Sequence, residues 1–179
     1  MSEEIVEWEE ISREEIFSKY GRIIDKVIFK LPNERLADFY LNGRCECIAC
    51  VALTQDEQVI LVKQFRPGPK DVLLELPGGG LKGGESLEEA MARELLEETG
   101  YEGDISFVTS VIPDAYAMYT KNAFVATNCR KVADSKPEDN GESLETVLMP
   151  LDKFREHLRT GKLSDVEIGY LGLDFLGLL

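Results

Sequence analysis

Over most of the chain apolar and polar residues alternate in short runs, the period of strands in a sheet, and they switch to a helical period in only a few places. Residues 22–31 and 35–41 read as two strands joined by a turn at Pro32, Asn33 and Glu34. Residues 45–53 and 58–65 make a second hairpin, and 72–76 form a short strand after the break at Pro67, Gly68 and Pro69. Further strands are expected at 105–112, 122–126 and 145–149. Helical spacing marks 86–99, 151–159 and 165–179, and 11–20 reads as a short helix or turn. Ser86 and Glu89 are spaced as a capping box, with Gly100 as the stop. The stretch 77–84 is too rich in glycine for regular structure, and 131–142 is a charged loop. This mixture predicts an α/β sandwich around a mixed sheet. Residues 1–44 are expected to form an N-terminal antiparallel strand element and 45–179 the main domain.

Charge narrows the partners. The net charge is -14, from 34 acidic and 20 basic residues. A nucleic-acid binder needs a basic stripe, and none is visible, so polyanions are excluded unless a metal ion brings in positive charge. No apolar run is long enough for a bilayer, and the first ten residues are acidic where a signal peptide is basic and then apolar. A cytoplasmic protein is expected. Cys45 and Cys47 alternate with Ala49, Val51 and Leu53 like one face of a strand, which favours packing over a metal knuckle. The lone histidine, His157, leaves a zinc site short of ligands. Chemistry therefore has to come from carboxylates.

The helix at 86–99 breaks its own pattern. With Leu87 at zero and about 100° per residue, Leu87, Ala90, Met91 and Leu95 share one face, and Glu94 and Glu98 fall within about 20° of Leu87. Glu97 lies on the flank beside Arg93. Two carboxylates facing a core, four residues apart, are costly and repel each other. Either this end of the helix emerges into solvent, or the carboxylates hold a hard cation. A glycine-rich loop just ahead, which lets phosphate oxygens approach the backbone at Gly79 and Gly80, favours a cation held against a polyphosphate.

Gly79, Glu85, Arg93-Glu94-Leu95, Glu97-Glu98, Gly100 and Tyr101 fill every specified position of the Nudix box, G-x5-E-x7-R-E-U-x-E-E-x-G-U, with U apolar. A chance match is on the order of one in ten million. The chain thus resembles the Nudix hydrolases, which implies a Nudix-type α/β/α sandwich and a metal-dependent pyrophosphohydrolase. By that resemblance Glu94, Glu97 and Glu98, with the Gly78 carbonyl, hold magnesium or manganese. Arg93 orients the carboxylates, and Glu85 braces the junction of loop and helix, although an acidic residue there also suits a helix start.

The segment Leu61 to Pro67, then Leu74 to Gly79, resembles the ADP-ribose and nucleoside-diphosphate-sugar pyrophosphatase branch. That likeness implies substrate contacts from Arg66 and Glu75 and a homodimer built through the N-terminal strands. It also implies a catalytic carboxylate on the late loop, Glu142, with Glu138 and Asp139 as fallbacks. The implied reaction splits ADP-ribose into AMP and ribose 5-phosphate by in-line attack of water at phosphorus, with Glu97 or Glu142 as base. A nucleoside-diphosphate sugar, a dinucleoside polyphosphate or an oxidised nucleoside triphosphate stays open as substrate, as does a nucleotide-sensing module without catalysis. One departure bears on substrate: where the branch carries a Ser-Pro-Gly-like turn, this chain has Ile112-Pro113-Asp114-Ala115.

Overall fold

The computed structural model of the chain describes residues 5–44, 46–136 and 143–179. Its contacts divide the chain into two compact units, one of Met1–Cys45 and Ile112–Thr120, the other of Glu46–Val111 and Lys121–Leu179.

In the first unit three antiparallel strands run in order: β1 (Glu9–Lys19), β2 (Arg22–Lys30) and β3 (Leu36–Arg44). Residues 11–20, expected as a helix or turn, are therefore strand through Lys19. Register shifts between Glu10 and Ser12 and between Glu15 and Phe17 put extra residues into β1. Each bulge resets the alternation, so a period of two was not visible in the sequence. Tyr20 and Gly21 make the turn at φ 53° and 69°, the left-handed pair that suits a two-residue hairpin. Trp8, Phe29 and Phe39 pack as an aromatic trio, with ring centroids 5.4 to 6.2 Å apart. Residues 112–120 join this unit through Asn42, whose N–H donates to the Tyr116 carbonyl at 2.8 Å and whose carbonyl accepts from Met118 at 2.7 Å.

The second unit is built on a seven-stranded sheet in the order β10-β5-β4-β9-β8, with β6 beside β5 and β7 beside β4. The strands are β4 (Cys47–Thr54), β5 (Gln58–Arg66), β6 (Asp71–Glu75), β7 (Gly78–Gly80), β8 (Tyr101–Val111), β9 (Lys121–Lys131) and β10 (Glu145–Pro150). The β4–β9 pair is parallel and the others antiparallel, so the sheet is mixed. The helices are α1 (Leu87–Thr99), α2 (Leu151–Arg159) and α3 (Val166–Phe175). Strand β4 shows why the layers form. Ala49, Val51 and Leu53 share a core with Phe154 and Leu158 of α2 and Ile168 and Leu173 of α3. Ile48, Cys50 and Ala52, on the other face, pack with Ala90, Met91 and Leu95 of α1. A strand buried on both faces reads as a continuous apolar run, as β4 does. The glycines of α3 serve this packing: a Cβ at Gly172 would stand 2.6 Å from a Val51 methyl. No helix among the described residues is long and apolar enough to cross a membrane.

Candidate active site

Local chemistry sets the helix that carries the carboxylates. Ser86 caps α1, its hydroxyl accepting from the Glu89 N–H at 3.2 Å while Glu89 accepts from the Ser86 N–H at 2.8 Å. At the other end Gly100 turns left-handed at φ 75°, and its N–H closes on the Leu96 carbonyl at 2.9 Å. Between these caps Ala90, Met91 and Leu95 are buried against the sheet, and Glu94 is buried with them at 9% exposure. The helical-wheel anomaly is thus physical: a carboxylate does sit on the packed face.

The glycine segment is not a loop throughout, as the sequence suggested. Gly78–Gly80 pairs antiparallel with β4, Gly78 opposite Ala49, Gly79 opposite Ile48 and Gly80 opposite Cys47. The strand is wedged between β4 and α1. A Cβ at Gly79 would collide with the Glu94 carboxylate, and one at Gly78 with the Ile48 carbonyl. Glycine here answers to close approach rather than to a turn. The Gly78 N–H donates to Glu98 Oε2 at 2.9 Å, and the Gly80 carbonyl accepts from Arg93 Nη2 at 3.0 Å.

Arg93 is the hub. Nε and Nη2 hold both oxygens of Glu85 at 3.0 and 2.7 Å, while Nη1 reaches Glu94 at 2.8 Å and Glu97 at 3.1 Å. The Lys82 ammonium adds a 3.2 Å contact to Glu97. The Arg93 fork, helped by the Lys82 backbone N–H, holds the Glu85 carboxyl down at about 2. Burial does the opposite to its neighbours. It pushes Glu98 up to about 8 against the pull of the Gly78 N–H, and the negative charge of Glu94 adds to the rise. Glu94 is also raised by burial, with Arg93 opposing.

A second polar group lies on the same face of the sheet. Glu75, 3% exposed, accepts from Arg66 Nε at 2.8 Å and forms an ion pair with Arg66 Nη2 at 2.6 Å. Both charges act on Glu98, Arg66 favouring its ionised form and Glu75 opposing it. Gln64 donates to the same Glu75 oxygen at 2.6 Å. Sequence reasoning overlooked Gln64 and Lys82. Gln64 carried one signal, a polar residue at an inward position of a strand otherwise buried on that face.

The structure therefore brings Glu85, Arg93, Glu94 and Glu97 together on Arg93, and sets Glu98 against β7. Glu142, Glu138 and Asp139, named as the late catalytic carboxylate and its fallbacks, lie outside the described residues. His157 sits on α2, whose neighbours Phe154 and Leu158 pack on the face opposite α1. Its Nε2 is buried without a hydrogen-bond partner among the described residues. Burial raises the Cys50 and Cys129 thiols, and both pack in the core with Met91 and Leu95. Among the described residues no three His, Cys, Asp or Glu side chains are gathered closely enough to hold a metal ion as they stand. Their oxygens are engaged by Arg93, Lys82 and the Gly78 N–H instead.

A model of the NUDIX domain matches residues 44–167. The chain belongs to the NUDIX family. Among its NUDIX relatives, it is 28% identical over 167 residues to an ADP-ribose pyrophosphatase of Bacillus subtilis (strain 168), covering 89% of this chain and 88% of that one. It is equally 28% identical over 174 residues to a methanol dehydrogenase activator of Bacillus methanolicus, covering 91% of each. A mouse ADP-sugar pyrophosphatase is 37% identical over 100 residues, 52% of this chain and 46% of that one. A crystal structure of an ADP compounds hydrolase superposes with a TM-score of 0.79 over 99% of this chain and 100% of the other at 22% identity, which supports the NUDIX fold.

Proposed function

We propose that this protein hydrolyses the pyrophosphate bond of a nucleoside diphosphate joined to a second group, with ADP-ribose, split into AMP and ribose 5-phosphate, as its substrate. The observation that carries the reading is the carboxylate cluster on α1, organised by Arg93 against a strand of glycines. The nearly full-length likeness to an ADP-ribose pyrophosphatase supports the substrate.

Glu94, Glu97 and Glu98, with the carbonyl of Gly78, would hold magnesium or manganese. The donor set fits: every side chain in it is a hard carboxylate, and burial pushes Glu98 up to about 8 and raises Glu94, so a nearby positive charge would favour the ionised form of each. Such an ion supplies positive charge to the pyrophosphate oxygens and acidity to a water. The chain does the rest. Arg93 and Glu85 fix the helix against the glycine strand, where Gly79 lets the Glu94 carboxylate lie against the backbone. Arg66, anchored on Glu75, offers a guanidinium to the substrate. Glu97 or Glu142 takes the proton of the attacking water, and the bond from phosphorus to the bridging oxygen breaks in line.

The exposed apolar side chains of the N-terminal strand unit, among them Val6, Trp8, Ile11, Ile16 and Phe17, support a homodimer formed through it. Sedimentation showing only monomer would remove that part. A cytoplasmic location is proposed with it, on the buried thiols of Cys50 and Cys129, which stand outside any disulfide as in a reducing compartment. A nucleoside-diphosphate sugar or a dinucleoside polyphosphate would keep the same chemistry. The likeness to an activator of methanol dehydrogenase over 91% of both chains favours one different reading, a nucleotide-sensing module that acts on a partner enzyme. One experiment separates these. With magnesium, release of AMP is followed for ADP-ribose, nucleoside-diphosphate sugars, diadenosine polyphosphates and 8-oxo-dGTP. Cleavage of ADP-ribose above the rest, abolished by chelator, is expected; binding of ADP-ribose without any turnover would replace the hydrolase by the sensor.

A further inference from the structure

The polar trio on β5 and β6 holds one residue that the proposed reaction does not yet use. Gln64 and Arg66, two apart on β5, share the face that Ile60 presents to α1. Glu75 pairs with Val62 across the β5–β6 ladder and so projects from that same face. Two donors then converge on one atom, Glu75 Oε2, Gln64 Nε2 at 2.6 Å and Arg66 Nε at 2.8 Å, and the Arg66 Nη2 charge pairs with the same oxygen at 2.6 Å. Gln64 and Glu75 are 7% and 3% exposed, whereas the Arg66 side chain is 43% exposed. The buried pair is thus a fixed base, and the arginine stands on it with part of its surface in solvent.

The chemistry of each position is specific. A buried carboxylate persists as an anion only when donors satisfy it. An apolar side chain at position 64 would leave Glu75 dependent on one half-exposed arginine. A lysine there would neutralise Glu75 and compete for the oxygen that holds Arg66. The neutral amide does neither: it locks the orientation of Glu75 and leaves all its charge to the guanidinium. A long, half-exposed side chain otherwise has rotamer freedom to lose on binding.

We propose that Gln64 is a positioning residue, which orients Arg66 through Glu75 toward the pyrophosphate of the substrate. The inference rests on the proposed reading of Arg66 as a substrate contact. Gln64 itself touches no substrate. Its effect belongs to affinity more than to the chemical step, and it vanishes once Arg66 is gone.

The test measures steady-state kinetics on ADP-ribose with magnesium for Gln64→Met, Gln64→Glu, Arg66→Ala and the double variant Gln64→Met with Arg66→Ala. Calorimetric affinity for ADP-ribose and melting temperature are taken for each. Gln64→Met is expected to raise KM about tenfold with kcat within about twofold, a modest part of what misplacement can cost. Gln64→Glu, with a like charge against Glu75, should raise KM further. On the Arg66→Ala background Gln64→Met should change nothing, which a merely structural glutamine would not produce. Unchanged KM and affinity in both single Gln64 variants would overturn the proposal, and so would an equal penalty with and without Arg66. If Gln64→Met melts at the assay temperature, Gln64→Glu decides. Failure of the underlying reading shows separately, as wild-type protein that neither binds nor cleaves ADP-ribose, or as Arg66→Ala with wild-type KM; either removes the inference as well.

Discussion

Glu98 makes the stability of the metal-free protein depend on pH in an unusual direction. Burial pushes its carboxyl from 4.5 to about 8. From pH 4.5 upward an unfolded chain has released this proton while the folded chain keeps it, so stability present below pH 4.5 is lost as pH rises toward 8. At about 1.4 kcal/mol per pH unit the loss by pH 7 is about 3.5 kcal/mol at most, and solvent reaching this half-buried group brings the expected value to about 1–2 kcal/mol. Glu98→Gln keeps an acceptor oxygen for the Gly78 N–H and removes the titration. In chelator, unfolding of wild type and Glu98→Gln is followed in urea at pH 5, 6, 7 and 8. The two should be nearly equal at pH 5, and the variant should be more stable at pH 7 by about 1–2 kcal/mol, which a thermal melt would read as about 2–8 °C for a chain of this size. The comparison matters because His157, lowered by burial, acts with the opposite sign in both proteins, and Glu94, raised by burial, acts with the same sign in both. Adding magnesium should narrow the gap by stabilising wild type alone. Parallel pH profiles for the two proteins would refute the burial argument.

Alanine at Glu97 should lower turnover of ADP-ribose by about 10²–10⁴-fold while the far-ultraviolet circular dichroism stays that of wild type. Gly79→Ala drives a Cβ into the Glu94 carboxylate, so activity should collapse while the protein still melts cooperatively, as calorimetry can check. Lys82→Met removes a competitor for Glu97 Oε2; manganese titrated by electron paramagnetic resonance should bind several-fold more tightly, and unchanged affinity would show that the contact does not matter. Ser86→Ala deletes the hydroxyl half of the capping box and should cost about 1 kcal/mol in urea unfolding.

Helix α1 was legible from local periodicity. Its caps, its stop and the inward direction of Glu94 all depend on residues within a few turns of one another, and an α-helix repeats a known angle per residue. The box of glycine, arginine and glutamates pointed to the family for the same reason, since its members lie close together in the chain. What those residues hold on to was not local. The pairing of Gly78–Gly80 with β4 joins residues some thirty positions apart, and no sequence period records which strand a glycine run will press against. Strand β1 escaped notice because its bulges reset the alternation that marks a strand. The Gln64–Glu75–Arg66 cluster exists only because the β5–β6 register sets three side chains on one face. Residues 112–120 belong with the N-terminal strands because Asn42 pairs with them from far along the chain. Capping and helical facing are decided within a few residues. Register, close approach and the convergence of donors on one buried oxygen arise when distant segments pack, and only the folded chain decides them.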